Sequence, residues 1–185
     1  MIIGLTGSMG CGKGEVVKIL EEKGFKYITL SMMVREEARK RNIPEEREKL
    51  MEVGNSMRKI DGAGVLAKKS LEKIKNSDHD KWIIDGIRNP AEIDELKKEK
   101  NVYIVGVSTN KELLVNRILS RARESDAKNK EEILRKIERE WGKDEPEDGQ
   151  QVGKCMKKVD IIIENEGTLE ELQEKFFSFY NSISK

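Results

Sequence analysis

The chain has 185 residues, enough for one ordinary domain that buries roughly 70% of its unfolded surface, so neither disulfides nor a structural metal are needed for it to fold. Basic residues (36 Lys plus Arg) and acidic residues (35 Asp plus Glu) nearly cancel to a formal charge of +1, which argues against a bulk electrostatic grip on nucleic acid or on an anionic membrane. The two cysteines, Cys11 and Cys155, lack zinc-site spacing, and no stretch approaches the ~20 apolar residues of a membrane span, so a reduced, cytoplasmic protein is expected.

Along the chain, short apolar runs alternate with longer amphipathic segments. Ile2-Ile3-Gly4-Leu5 reads as a buried strand rather than a signal peptide, because no basic region precedes a long apolar run. Glu15 to Lys23 reads as a helix with Val16, Ile19 and Leu20 on one face and Gly24 as its stop. Tyr27 to Leu30 is a second strand. Residues 31–76 read as largely helical, with Leu50, Val53, Met57 and Ile60 as a core stripe and breaks at Gly62 and Gly64. The sole histidine, His79, lies in a polar run that predicts a surface loop, which leaves no basis for His-based catalysis. Trp82-Ile83-Ile84 is a strand ending at Asp85, and Val102 to Val107 is another. A helix carrying Leu113, Leu114, Ile118 and Leu119 follows.

Residues 121–153 are very polar, with a helical piece around Ile133, Leu134 and Ile137 and with Trp141 as a packing residue. The acidic run Asp144 to Asp148 has no coordination spacing and reads as a solvated turn. Val159 to Ile163 is the last strand. Thr168, with Glu171 three residues on, caps a final helix whose stripe is Leu169, Leu172, Phe176 and Tyr180. Continuous apolar strands alternating with helices imply a parallel sheet covered on both faces.

The strongest chemical signal is Gly7-Ser8-Met9-Gly10-Cys11-Gly12-Lys13-Gly14, which has the G-x-x-x-x-G-K spacing between a predicted strand and a predicted helix. Glycines there let backbone N–H groups converge on phosphate oxygens, the helix N-terminus adds its positive end, and Lys13 supplies a point charge for the β- and γ-phosphates. The Ser or Thr that commonly follows the lysine is replaced by Gly14, and Glu15 comes next. Cys11 reads as a small residue that fits the loop, with a redox-sensitive thiol at a positive helix end as the alternative.

G-x-x-G-x-G-K-G resembles the loop of adenylate kinases and related nucleoside monophosphate kinases. Asp85-Gly86-Ile87-Arg88 resembles their D-G-F/Y-P-R motif without its proline, and Ser31 to Arg35 resembles their acceptor segment G-D-M/L-L/I-R. Over most of its length the chain is similar to archaeal-type kinases related to adenylate and dephospho-coenzyme-A kinases, through Val34 to Ala38, Asn55, Arg58, the I-D-G-I-R stretch, Arg121 and Arg123, and Asn165 to Thr168. The resemblance implies a single three-layer α/β/α P-loop NTPase domain with a five-stranded parallel sheet, a helical acceptor-binding insertion at about residues 31–76 and a lid at about residues 122–150.

It further implies ATP on Gly7 to Glu15 and a Mg²⁺ ion held largely by water and nucleotide oxygens, with Asp85 reaching it through water. Arg88, Ser31, Arg35, Asn55 and Arg58 would meet the acceptor. Arg121, Arg123 and Arg139, and less directly Arg135, would clamp the transferred phosphoryl group. The expected reaction moves the γ-phosphoryl group of ATP onto a small phosphate-bearing nucleotide, in a monomer or homodimer. The rivals are a dephospho-coenzyme-A or other small-alcohol kinase, which requires a carboxylate beside the hydroxyl, and a nucleotide-binding regulator or assembly ATPase.

Overall fold

A computed structural model describes residues 1–121 and 129–184. Five strands form its sheet: β1 (Ile2–Thr6), β2 (Lys26–Thr29), β3 (Trp82–Ile87), β4 (Val102–Ser108) and β5 (Ile161–Glu164). All pair in parallel, in the order β2-β3-β1-β4-β5. Their isoleucines and valines suit a pleated surface buried on both sides.

The helices divide between the two faces. On one face lie α1 (Lys13–Glu22), α6 (Lys111–Arg121), α7 (Lys130–Trp141) and α9 (Leu169–Ile183), whose apolar stripes close over Ile3, Leu5, Ile83, Val105 and Val107. On the other lie α2 (Leu30–Lys40), α3 (Arg47–Asp61), α4 (Val65–Lys75) and α5 (Pro90–Leu96), packed over Ile84, Ile87 and Ile104, with Cys155 of the short α8 (Val152–Cys155). The expected three-layer P-loop fold is therefore present.

Details differ from the sequence pattern for local reasons. The 31–76 stretch is three helices, because the loop holding Pro44 interrupts it between α2 and α3. In α3, Val53 and Met57 are buried, but Ile60 is 70% exposed, since the helix runs on past the edge of the core. Helix α5 was not legible as an apolar stripe. It is set by Asn89, whose side chain accepts from the Ala91 amide within a capping box with Glu92, and by Pro90 in its first turn. Asp85, expected just past its strand, lies inside β3. Gly86, at φ +83°, is an extra residue there, because Leu5 faces Asp85 while Thr6 faces Ile87. The bulge re-aims the chain so that Arg88 leaves the sheet beside the end of β1.

Candidate active site

Position follows from topology. β1 is central, and its neighbours β3 and β4 connect to opposite sides, so the loops at their carboxyl ends part and leave a crevice. The Gly7 to Gly12 loop lies in it. Gly7 has φ +135°, and a Cβ there would strike the Val107 carbonyl oxygen. Gly12 has φ +102°, and a Cβ there would strike the Asn165 side-chain amide. Only glycine satisfies both conformation and space at these two positions. Asn165 Nδ2 donates to the Cys11 carbonyl at 2.9 Å, tying the loop to the end of β5.

Helix α1 starts at Lys13 with no side-chain cap, so its first amides are left for an anion. The Lys13 ammonium donates back to the Gly7 carbonyl at 2.6 Å and the Ser8 carbonyl at 3.0 Å, spanning the mouth of the loop. Gly14 has nothing within 4 Å of where a Cβ would stand. Glu15 turns along the helix to pair with Lys18 at 3.0 Å. Cys11, within the loop, is buried.

Two acidic residues that the motifs did not single out organise the crevice. Glu92 is fully buried. Its Oε1 accepts from Arg58 Nε and Nη2 at 3.1 and 3.0 Å, and its Oε2 accepts from the Arg88 and Asn89 amides at 2.8 and 3.0 Å. It therefore fixes the turn that carries Arg88. Glu140, in the last turn of α7, is 3% exposed. Its Oε2 accepts from the Met9 amide of the loop at 2.9 Å, and its Oε1 pairs with Arg88 Nη1. Burial pushes the Glu140 carboxyl up, but the Arg88 charge and the Met9 amide outweigh it and hold it below the usual range. The Glu140 charge in turn raises Arg88 above its ordinary value.

One sequence signal pointed to Glu140. It continues the Ile133, Ile137 stripe by three residues, so it occupies a core-facing position of a helix that is otherwise apolar on that face.

The other expected residues fall in different places. Arg58, expected on the acceptor, is 5% exposed and paired with Glu92. Asn55 accepts from Arg58 Nη1 at 3.4 Å. Arg35 and Arg39 share Glu45 on the surface. Ser31 packs its hydroxyl 3.1 Å from that of Thr29. Asp85 accepts from Tyr27 Oη at 3.1 Å and from the Gly86 amide at 2.6 Å. Arg139 pairs with Glu145 across the turn after α7, and Arg135 and Arg121 lie on exposed helix surface. Arg123 and the start of the expected lid lie outside the described residues. Among the described residues there is no group of three or more His, Cys, Asp or Glu able to hold a metal ion. Beside the loop lies a cavity of about 340 Å³, walled by Val107, Leu114, Ile137, Trp141 and Met156.

A family model described as an AAA domain matches residues 6–134. A UPF0200 protein of Sulfurisphaera tokodaii is 38% identical over 94% of this chain and 92% of its own length, and one from Pyrococcus horikoshii is 34% identical over 99% and 97%. The chain belongs to the UPF0200 family. Its loop geometry and the domain match make this UPF0200 chain a nucleotide-binding, P-loop kinase-like domain. In fold it is similar to the crystal structure of TT1252 from Thermus thermophilus, with a TM-score of 0.66 at 16% identity, covering 100% of this chain and 98% of that one. Among the described residues of this family member, no helix is long and apolar enough to cross a membrane.

Proposed function

We propose that the protein is an ATP-dependent kinase that transfers the γ-phosphoryl group to a small phosphate-bearing acceptor of the nucleoside monophosphate class. The observation that carries this reading is a span. One carboxylate, that of Glu140, touches both the Met9 amide of the loop and the guanidinium of Arg88. A loop amide and an arginine that close together can meet oxygens of one phosphoryl group on its way between donor and acceptor. Phosphoryl transfer is dominated by positioning and charge neutralisation, and these are the groups it uses.

In this reading the Gly7 to Gly12 amides and the open first turn of α1 hold the polyphosphate. Lys13 leaves the carbonyls of Gly7 and Ser8 for phosphate oxygens. Arg88, held by Glu92 through its backbone, stands between donor and acceptor. Arg35 and Ser31 on α2 face the acceptor side, and residues 31–76 form the acceptor-binding insertion. Mg²⁺, when bound with the nucleotide, neutralises charge on the phosphates, with Asp85 addressing its water shell. Arg121, Arg123 and Arg139 are the further phosphate clamps of this proposal.

Glu140 also favours a second reading. An alcohol acceptor needs a carboxylate to orient its hydroxyl, and Glu140 is one at the loop itself. An acceptor screen decides between the two: the protein is incubated with ATP, Mg²⁺ and each of a set of nucleoside monophosphates and phosphorylated alcohols, and ADP and product are followed. Acceleration by a nucleoside monophosphate is expected. Lys13→Ala should lower that turnover by about 10²-fold or more, the scale set by removing one preorganised donor. Equal, slow ADP release with every acceptor would contradict the kinase reading.

A further inference from the structure

We propose that Glu140 is an internal surrogate for nucleotide phosphate, which occupies the loop at rest, holds Arg88 in waiting and must be displaced before the donor can bind. This rests on the nucleotide reading of the loop given above.

The position is unfavourable for a carboxylate on local grounds. Glu140 lies in the last turn of α7, where the helix dipole opposes negative charge, and it is buried. Packing alone does not call for a charge there. What compensates is the loop. The Met9 amide, which donates to Glu140 at 2.9 Å, belongs to the loop whose amides the reading above gives to phosphate, and Arg88 supplies the opposite charge. The Lys13 charge also acts on this carboxylate. An anion thus already sits among the cations of the cradle, and it belongs to the protein.

Glu140 and a nucleotide phosphate cannot both take the Met9 amide. If ~90% of molecules hold the contact, donor affinity is weakened about tenfold, because only the open fraction binds. Displacement hands over two things at once, since Arg88 loses its resting counter-charge when the phosphate gains the amide. The contact therefore couples loading of the loop to release of the arginine. It also keeps the arginine neutralised in the absence of nucleotide, which disfavours an acceptor phosphate binding first. α7 is anchored elsewhere by Ile133 and Ile137 in the core, so only its last turn needs to move.

The test measures binding. The full chain and the Glu140→Gln variant are titrated with ATP and, separately, with tripolyphosphate, by calorimetry. Gln keeps the shape and an oxygen acceptor but removes the charge. The proposal expects the variant to bind both ligands about tenfold more tightly. It also expects tripolyphosphate to shift the emission of Trp141, the neighbour of Glu140, in a Trp82→Phe background of the otherwise unaltered chain. That second measurement keeps the proposal open to refutation if Glu140→Gln fails to fold. Equal or weaker binding by the variant, or unchanged Trp141 emission at saturating tripolyphosphate, would overturn the surrogate role while leaving the kinase reading in place. Absence of binding by both proteins would overturn the kinase reading and this inference together.

Discussion

Two arginine–glutamate pairs, each with a buried carboxylate, flank the turn after β3, and they are built for different ends. In Arg58–Glu92 the carboxylate receives two guanidinium bonds and two backbone amides, and both side chains are 5% exposed or less. All of its donors come from elements packed permanently together. In Arg88–Glu140 the carboxylate takes its backbone bond from the phosphate loop, and Arg88 keeps part of its side chain open to solvent. The first pair is a strut. The second is an ion pair in which either member can exchange its counterpart for a phosphate. What separates them is whose amide completes the carboxylate: a turn of the scaffold for Glu92, a ligand-binding loop for Glu140.

The comparison is broken most forcefully at the strut. Arg58→Met leaves a fully buried Glu92 charge with two backbone amides but no counter-ion, and should cost about 3–5 kcal/mol of stability in denaturant unfolding. The corresponding loss for Arg88→Met should be smaller, because the Arg88 side chain is partly open to solvent whereas that of Arg58 is not. Equal losses would erase the distinction.

A smaller effect appears in acid. The Glu140 carboxyl is held below its unfolded value of 4.5. Its contribution is therefore present above that pH and is lost as pH falls through the folded value, where the unfolded chain binds the extra proton. Glu140→Gln lacks this contribution, so its melting temperature should decline less steeply than that of the parent below about pH 4.5. Parallel curves would mean that the Glu140 carboxyl titrates alike in the folded and the unfolded chain.

The smallest effect lies in alkali, beside Asp85. Burial, and then the Asp85 charge, push the Tyr27 hydroxyl from 10.0 up to about 12. Below pH 10.0 both states keep the proton. Above it the unfolded chain sheds the proton first, so stability falls as pH rises toward about 12. Cys155, pushed by burial from 9.0 to about 12, acts in the same sense. Tyr27→Phe should flatten the alkaline decline in melting temperature by its share, with the Cys155 part remaining.

The contrast between the pairs also explains what the sequence could show. The Gly7 to Lys13 loop was legible because its chemistry is local: strand, glycines, lysine and helix follow one another. The parallel sheet was legible because Ile2-Ile3, Ile83-Ile84 and Val102 to Val107 are apolar on both faces. The burial of Arg58 against Glu92 was not legible, because spacing i, i+3 with Asn55 says that two residues share a helix face, and not which way that face points. The pairing of Glu92 with Arg58 and of Glu140 with Met9 escaped notice because those donors are 34 and 131 residues away in the chain. A carboxylate becomes meaningful only when folding delivers an amide or a guanidinium to it. Ile60 erred in the other direction, since an apolar stripe carries no record of where the surface it packs against ends.

The central claim is that the loop amides from Gly7 onward, with Lys13, hold a polyphosphate. Calorimetric titration of the full chain with Mg·ATP tests it most directly. Saturable, one-to-one binding that Lys13→Ala weakens by about tenfold or more, the scale of one lost charge-assisted contact, is the predicted result. Absence of heat and of any competition with tripolyphosphate, or binding that Lys13→Ala leaves unchanged, would contradict it.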